Sequence, residues 1–329
     1  MKQKLNLPFA APETACYPHV TFAHCILKGN MGDGFDALMC ERYVNCCYIK
    51  SRADRRFHNC VCDHWSTARG VVDYQKVSFL KEVWVAHGLQ IEQVLKACLR
   101  EGAYPLGQCP RYVVEPLCAD RLAEFDFAIT GYDDEKGCFF VKGFDLDNLY
   151  HDYEIPYAVF EEAILQNRHK GVNFDLRSVR EGADVSLRLA KVRGELSDYL
   201  NGTCSGGVLL DDKFFGVEAI EALISEFEAA ASRGECLNAV YLRAFAEHKY
   251  FMGKSVTYLA QKGLISARHR ESADRVATLG REVLALGAEY HQSRDARVAQ
   301  RLLEKMRDML AVERQYLPKV LEQLQNINK

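Results

Sequence analysis

Four side chains between positions 58 and 64 have the types and the spacing to hold a metal. His58, Cys60, Cys62 and His64 alternate in FHNCVCDHW, so an extended strand turns all four to one face. Thiolate and imidazole are the ligands zinc prefers. Cys46 and Cys47 lie a short way upstream. The spacing is not a standard zinc pattern: C-x-C steps on a flat strand splay their ligands, and the chain holds no CxxC pair. The alternatives are a cysteine-rich strand packed beside Trp65, or a run in which one thiol is a nucleophile. A second group is Cys16, Pro18 and His19. Pro18 fits only the first turn of a helix, which puts Cys16 at its N-terminus. That end of a helix favours negative charge and enlarges the reactive thiolate fraction. His19 shares the face of Cys16 and is a candidate base, with His24 further along. The plain alternative makes Cys16 an inert thiol and both histidines ordinary helix residues.

The chain that must position these groups has 329 residues, enough for two domains. Its hydrophobic content of 48% supports a sizeable core, and a net charge of -3 argues against a general nucleic-acid binder. The opening MKQKLNLPFAAPETA has no continuous apolar stretch of the secretory kind. No run approaches the roughly 18 apolar residues of a membrane span. The expectation is a cytoplasmic protein. Its 13 cysteines are then mostly thiols. Cys25, Cys40, Cys98, Cys118, Cys138 and Cys236 sit among apolar neighbours and read as small buried hydrophobes.

Composition changes near residue 180. Before it, Gly, Pro, aromatic residues and Cys mix with short apolar runs. After it, Ala, Leu, Glu, Arg and Lys recur at helical spacing. This predicts an α+β chain with a mixed domain over 1–180 and a helical bundle over 181–329. Bundle helices are expected at 183–200, 217–233, 237–263, 272–291 and 295–325. Val276, Leu279, Val283, Leu284 and Leu286 form one apolar stripe, and Leu302, Leu303, Met306, Met309 and Leu310 form another. The span 201–212 reads as a loop. In the first domain, 90–100 and 157–166 read as helices and 112–114 as a strand. FDFAITGYDDEKGCFFVKGFD, from Phe125 to Asp145, reads as two strands joined by a polar turn.

That strand pair, followed by EIPYAVFEEAI, resembles the N-terminal-domain family of butirosin biosynthesis protein H, which is related to papain-like cysteine peptidases. REGAYPLGQCPRYVVE upstream and ACYPHVTFAHCIL at the start resemble other segments of that family. DYLNGT and FAEHKYFMGKSVTYL resemble the helical bundle of members that serve nonribosomal peptide and polyketide assembly lines. The resemblance implies a papain-like fold over the first domain. It implies acyl transfer from a carrier-protein thioester to an amine, with no cofactor beyond the carrier's phosphopantetheine arm. Cys16 matches the nucleophile position and Asp145 roughly the orienting acid. The family's His lies six residues before the Gly of Gly-Tyr-Asp; here that position is Phe125.

Chemistry narrows what such a site does without its usual imidazole. A Cys at its reference pKa is about 3% thiolate at neutral pH, so it keeps some nucleophilicity without a base. Amide hydrolysis needs a proton for the departing amine. A thioester releases a thiolate, which leaves unaided. The expected substrate is therefore a carrier-bound acyl chain, with His19 or His151 as substitute bases. Arg52, Arg55 and Arg56 are candidates for the phosphate of the arm or an acidic carrier helix, against the plain reading of a solvated turn. Two rivals stand beside this one. The first is a pseudoenzyme that scaffolds an assembly-line intermediate. The second is a metal-dependent catalyst built on the Cys/His run of 46–64.

Overall fold

A computed structural model describes residues 3–50, 56–58, 71–114, 123–145, 149–166, 171–205 and 213–327. In chain order the elements are β1 (Lys4–Asn6), α1 (Pro18–Met31), α2 (Asp33–Arg42), β2 (Cys47–Ile49), β3 (Arg56–His58), β4 (Val72–Leu80), α3 (Lys81–Ala86), α4 (Ile91–Arg100), β5 (Tyr104–Pro110) and β6 (Glu124–Asp133). They continue with β7 (Cys138–Phe144), β8 (Tyr150–Pro156), α5 (Tyr157–Gln166), β9 (Gly171–Val179), α6 (Leu189–Asn201), β10 (Lys213–Phe215), α7 (Gly216–Ser232), α8 (Ala239–Gln261), α9 (His269–Ser293) and α10 (Ala296–Asn326). The chain is mixed α+β, with an antiparallel sheet and C-terminal helices. No helix among the described residues is long and apolar enough to cross a membrane.

Contacts divide the chain into two units, Met1–Gly32 with His64–Asp184, and Asp33–Asp63 with Val185–Lys329. The compositional change near 180 falls close to the last of the three crossings, between Asp184 and Val185. The first domain is not continuous, however. Residues 33–63, placed by sequence in the 1–180 domain, belong to the helical unit.

In the first unit the strands run in the order β4-β9-β5-β6-β7-β8, with β1 beside β6. Alternation in β6 sorts its side chains between two layers. Phe125, Phe127 and Ile129 face a cluster with Trp84 of α3, Leu95 of α4 and Phe160 of α5. Ala128 faces the other way, with Tyr104, Leu106 and Phe144, where Phe22 and Ile26 of α1 cover the sheet. Burying one such aromatic ring contributes about 1.5–3 kcal/mol. Gly131 serves packing: a Cβ there would fall 2.1 Å from the Leu5 carbonyl oxygen of β1. The expected strand at 112–114 is instead a 3-10 turn over Arg111–Val113. Pro110, which lacks an N–H, ends β5 just before it.

In the second unit, β10, β2 and β3 form a small antiparallel sheet, and α2 and α6–α10 supply the helices. Most of both apolar stripes is buried: Val276, Leu279, Val283 and Leu286, then Leu302, Leu303, Met306, Met309 and Leu310. Helix α6 begins at Leu189, later than residue 183. Arg188 is extended, and its backbone N–H donates to Glu41 Oε1 at 2.8 Å.

Candidate functional site

Pro18 opens α1, as its missing N–H requires, with Tyr17 extended before it. The N-cap side chain of Tyr17 makes no capping bond. Cys16 precedes this end of the helix and is half-buried. The lead-in segment lies alongside α1. Ala10 N donates to Cys25 O at 3.0 Å, Thr14 Oγ1 meets Thr21 Oγ1 at 3.0 Å, and Ala15 packs against the Phe22–Phe144 cluster. Buried thiols elsewhere are held in the neutral form. Desolvation pushes Cys25 and Cys40 up to about 12, and it raises Cys109 as well.

Phe125, the position at which the resemblance leads one to expect a His, is 0% exposed. Its ring meets Tyr153 edge-on at 5.4 Å and lies over Gly143, where a Cβ would sit 2.1 Å from Phe125 Cζ. His151 and Asp145 are brought together: Nε2 and Oδ2 are 2.7 Å apart. Asp145 also closes the turn between β7 and β8, because its Oδ1 accepts from Leu149 N at 2.8 Å. His151 stands opposite Gly143 in the ladder, two residues before Tyr153. Parity therefore turns it to the face of Phe125. Helix α1, which follows Cys16, covers the opposite face. The structure pairs the predicted His with the predicted acid and turns that pair away from the face on which α1 packs.

His19 stays on the α1 side. It lines a cavity of about 390 Å³ that opens on that face and reaches through the sheet to Phe127, Ile164 and Val172 of the other layer. The β5–β9 ladder explains the opening. The two strands pair only over Tyr104–Leu106, opposite Asp175–Arg177. Beyond that point β5 bonds to β6 and β9 bonds to β4, and the recess lies where the two part. Its lining includes Gln108, Asp126, Asp175, Arg177 and Lys76. Gln108 Nε2 donates to Asp126 Oδ1 at 2.9 Å. Tyr74 donates to Asp175 Oδ1 at 2.9 Å, and Arg177 Nη1 donates to the His19 carbonyl at 3.0 Å. Arg177 is 4% exposed, and desolvation lowers its pKa. Sequence reasoning missed this group. The signal was present in GVNFDLRSV, where Asn173, Asp175 and Arg177 alternate with Val172, Phe174 and Leu176.

The Gly-Tyr-Asp-Asp motif has structural duties. Gly131 admits β1, and Tyr132 Oη bonds Gln3 and accepts from Arg100. Asp133 caps its turn by accepting from Glu135 N and Lys136 N. Its bond to Lys4, and then those amides, hold its carboxyl below the usual range. Asp134 binds Lys96.

Arg52, Arg55, Cys60, Cys62 and His64 lie outside the described residues, as does the side chain of Arg56. His58 pairs with Cys47 across β3 and β2. Among the described residues no three His, Cys, Asp or Glu side chains gather as a metal site.

The helical unit holds a different polar group. Lys249 Nζ donates to Glu313 at 2.7 and 2.8 Å and to Tyr199 Oη at 2.8 Å. Tyr199 in turn donates to Glu313 Oε2 at 2.6 Å. All three residues are fully buried. Burial holds the Tyr199 phenol far above its usual range.

No protein-family model matches the chain, and no curated protein matches it.

Proposed function

We propose that the protein is a papain-like cysteine acyltransferase, similar to the butirosin biosynthesis protein H family. It takes an acyl group from a carrier-protein thioester and passes it to an amine. The supporting observation is a half-buried Cys16 directly ahead of α1, whose first turn lines a polar cavity through His19. The Cys16 thiolate attacks the thioester carbonyl, and the tetrahedral intermediate expels the pantetheine thiolate. The amine then attacks acyl-Cys16, the Cys16 thiolate leaves, and the amine's proton passes to His19 or water. Both leaving groups are thiolates, so neither step needs the imidazole that Phe125 replaces. Intact-protein mass spectrometry after incubation with an acyl-carrier thioester tests this. An acyl adduct on the wild type that is absent from Cys16→Ala is expected. No adduct, or the same adduct on Cys16→Ala, rejects Cys16 as the nucleophile.

A second reading is a non-catalytic scaffold for an assembly-line intermediate. It is favoured by the packing of Phe125 and by the facing of His151 away from the α1 side. Undiminished pathway turnover with Cys16→Ala would select it over the first.

A further inference from the structure

We infer that the cavity on the α1 face binds a small zwitterion, an amino acid or a compound of like charge. Its ammonium group sits at Asp126 and its carboxylate between Lys76 and Arg177. The ladder registers fix the polarity of the recess. Lys76 stands opposite Asp175, and Arg177 lies two residues along the same face of β9. That end carries two cations against one carboxylate. The other end carries Asp126, whose hydrogen bond comes from the neutral amide of Gln108. Neither Lys76, Asp126 nor Asp175 forms an ion pair among the described residues.

The strand order explains why these charges do not meet. Asp126 on β6 and Lys76 on β4 are three strands apart, with β5 and β9 between them. At about 4.8 Å per strand their backbones are ~14 Å apart across the sheet. A ligand with a single charge matches one end and leaves the other unmatched. A ligand with both signs matches both at once, each through a charge-assisted hydrogen bond. The cationic end is preorganised, because Arg177 is buried and tied to the His19 carbonyl. A volume of about 390 Å³ lies within the ordinary range of small-molecule sites and suits an amino acid.

Binding does not require Cys16. In naming the zwitterion as the acceptor amine, the inference rests on the acyl-transfer reading. The test separates the two by omitting the acyl donor and using full-length Cys16→Ala protein. Isothermal titration is run with the proteinogenic amino acids, β-alanine and γ-aminobutyrate. The best binder is then compared with its N-acetyl derivative, which keeps only the carboxylate, and its amide, which keeps only the ammonium group. Each derivative is expected to bind on the order of tenfold to a hundredfold more weakly. In Asp126→Asn the penalty for N-acetylation should vanish. In Lys76→Met the penalty for the amide should shrink. Unchanged thermal melting shows that both variants fold. The inference is overturned by no saturable binding up to the solubility of each amino acid. It is equally overturned by a binder whose charge preference survives in both variants.

Discussion

Charge in the two units is arranged in opposite ways. In the helical unit Lys249, Glu313 and Tyr199 close on one another, and every contact lies within 2.6–2.8 Å. In the sheet unit Lys76, Asp126 and Asp175 border a recess and form no ion pair among the described residues, the two carboxylates accepting only from neutral groups. A buried charge is tolerated only with a partner, so the closed cluster meets a structural requirement. Charges at an open recess keep water as a partner and remain available to a ligand. Polar side chains of the same types thus serve the fold in one place and recognition in the other.

The largest expected effect comes from breaking the closed cluster. Lys249→Met leaves the Glu313 carboxylate buried with only the Tyr199 hydroxyl, and Glu313→Gln leaves the Lys249 cation without a counter-charge. Each is expected to lower stability by about 3–5 kcal/mol, measured from urea unfolding midpoints. The triple variant Tyr199→Phe, Lys249→Met and Glu313→Leu removes every polar group together and should lie closer to wild type than either single change. Additive losses would show that the cluster does not act as a unit.

Backbone approach offers a second contrast. Gly216 has φ +53°, and a Cβ there would fall 2.1 Å from the Tyr199 carbonyl oxygen. Gly216→Ala both strains the turn and pushes on the cluster, so a loss of about 1–3 kcal/mol or more is expected. Gly107 borders the recess. Its added Cβ would meet the tip of the Phe127 ring at 3.0 Å and the Asn173 carbonyl oxygen at 3.2 Å. The ring tip has the recess to move into, so Gly107→Ala should cost less. Equal losses would erase the distinction between closed and open packing.

The parts of this architecture that the sequence made legible are those ruled by local pattern. The stripes of α9 and α10 repeat at helical spacing, and Pro18 could occupy only a first turn. The alternation in FDFAIT puts Phe125, Phe127 and Ile129 on one face of a strand. What stayed hidden depends on long-range register. Nothing local in residues 33–63 shows that they join helices beginning at Leu189. The cavity exists because the β5–β9 ladder stops at Leu106 and Asp175, a property of two segments far apart in sequence. The facing of His151 likewise follows from the β7–β8 register, which counting from Gly131 does not supply.

Acid sensitivity should also follow the closed side. Desolvation, and then the charge of Lys249, hold the buried His248 well below the ordinary imidazole range. The unfolded chain therefore takes up a proton at a pH where the folded protein does not. This contribution is fully present above about pH 6.5 and is lost as the pH falls below that value. His269, depressed mainly by desolvation, acts in the same direction. Urea midpoints measured at pH 7.5 and 5.5 should fall for the wild type and fall less for His248→Gln. The same drop in both proteins would remove His248 as the source.

The smallest stability effects should come from the recess itself. Asp126→Asn keeps an acceptor for the Gln108 amide, and Lys76→Met removes an exposed charge that has no ion-pair partner among the described residues. Exposed polar changes of this kind usually stay within about 0.5 kcal/mol. Side by side, these variants should leave the urea midpoint almost unmoved, while Lys249→Met shifts it strongly. If Asp126→Asn instead destabilised the protein as much as a cluster variant, Asp126 would have to be counted among the groups that hold the sheet together. Its position at the split between β5 and β9 would then be structural, and the recess would lose its negative pole as a binding group.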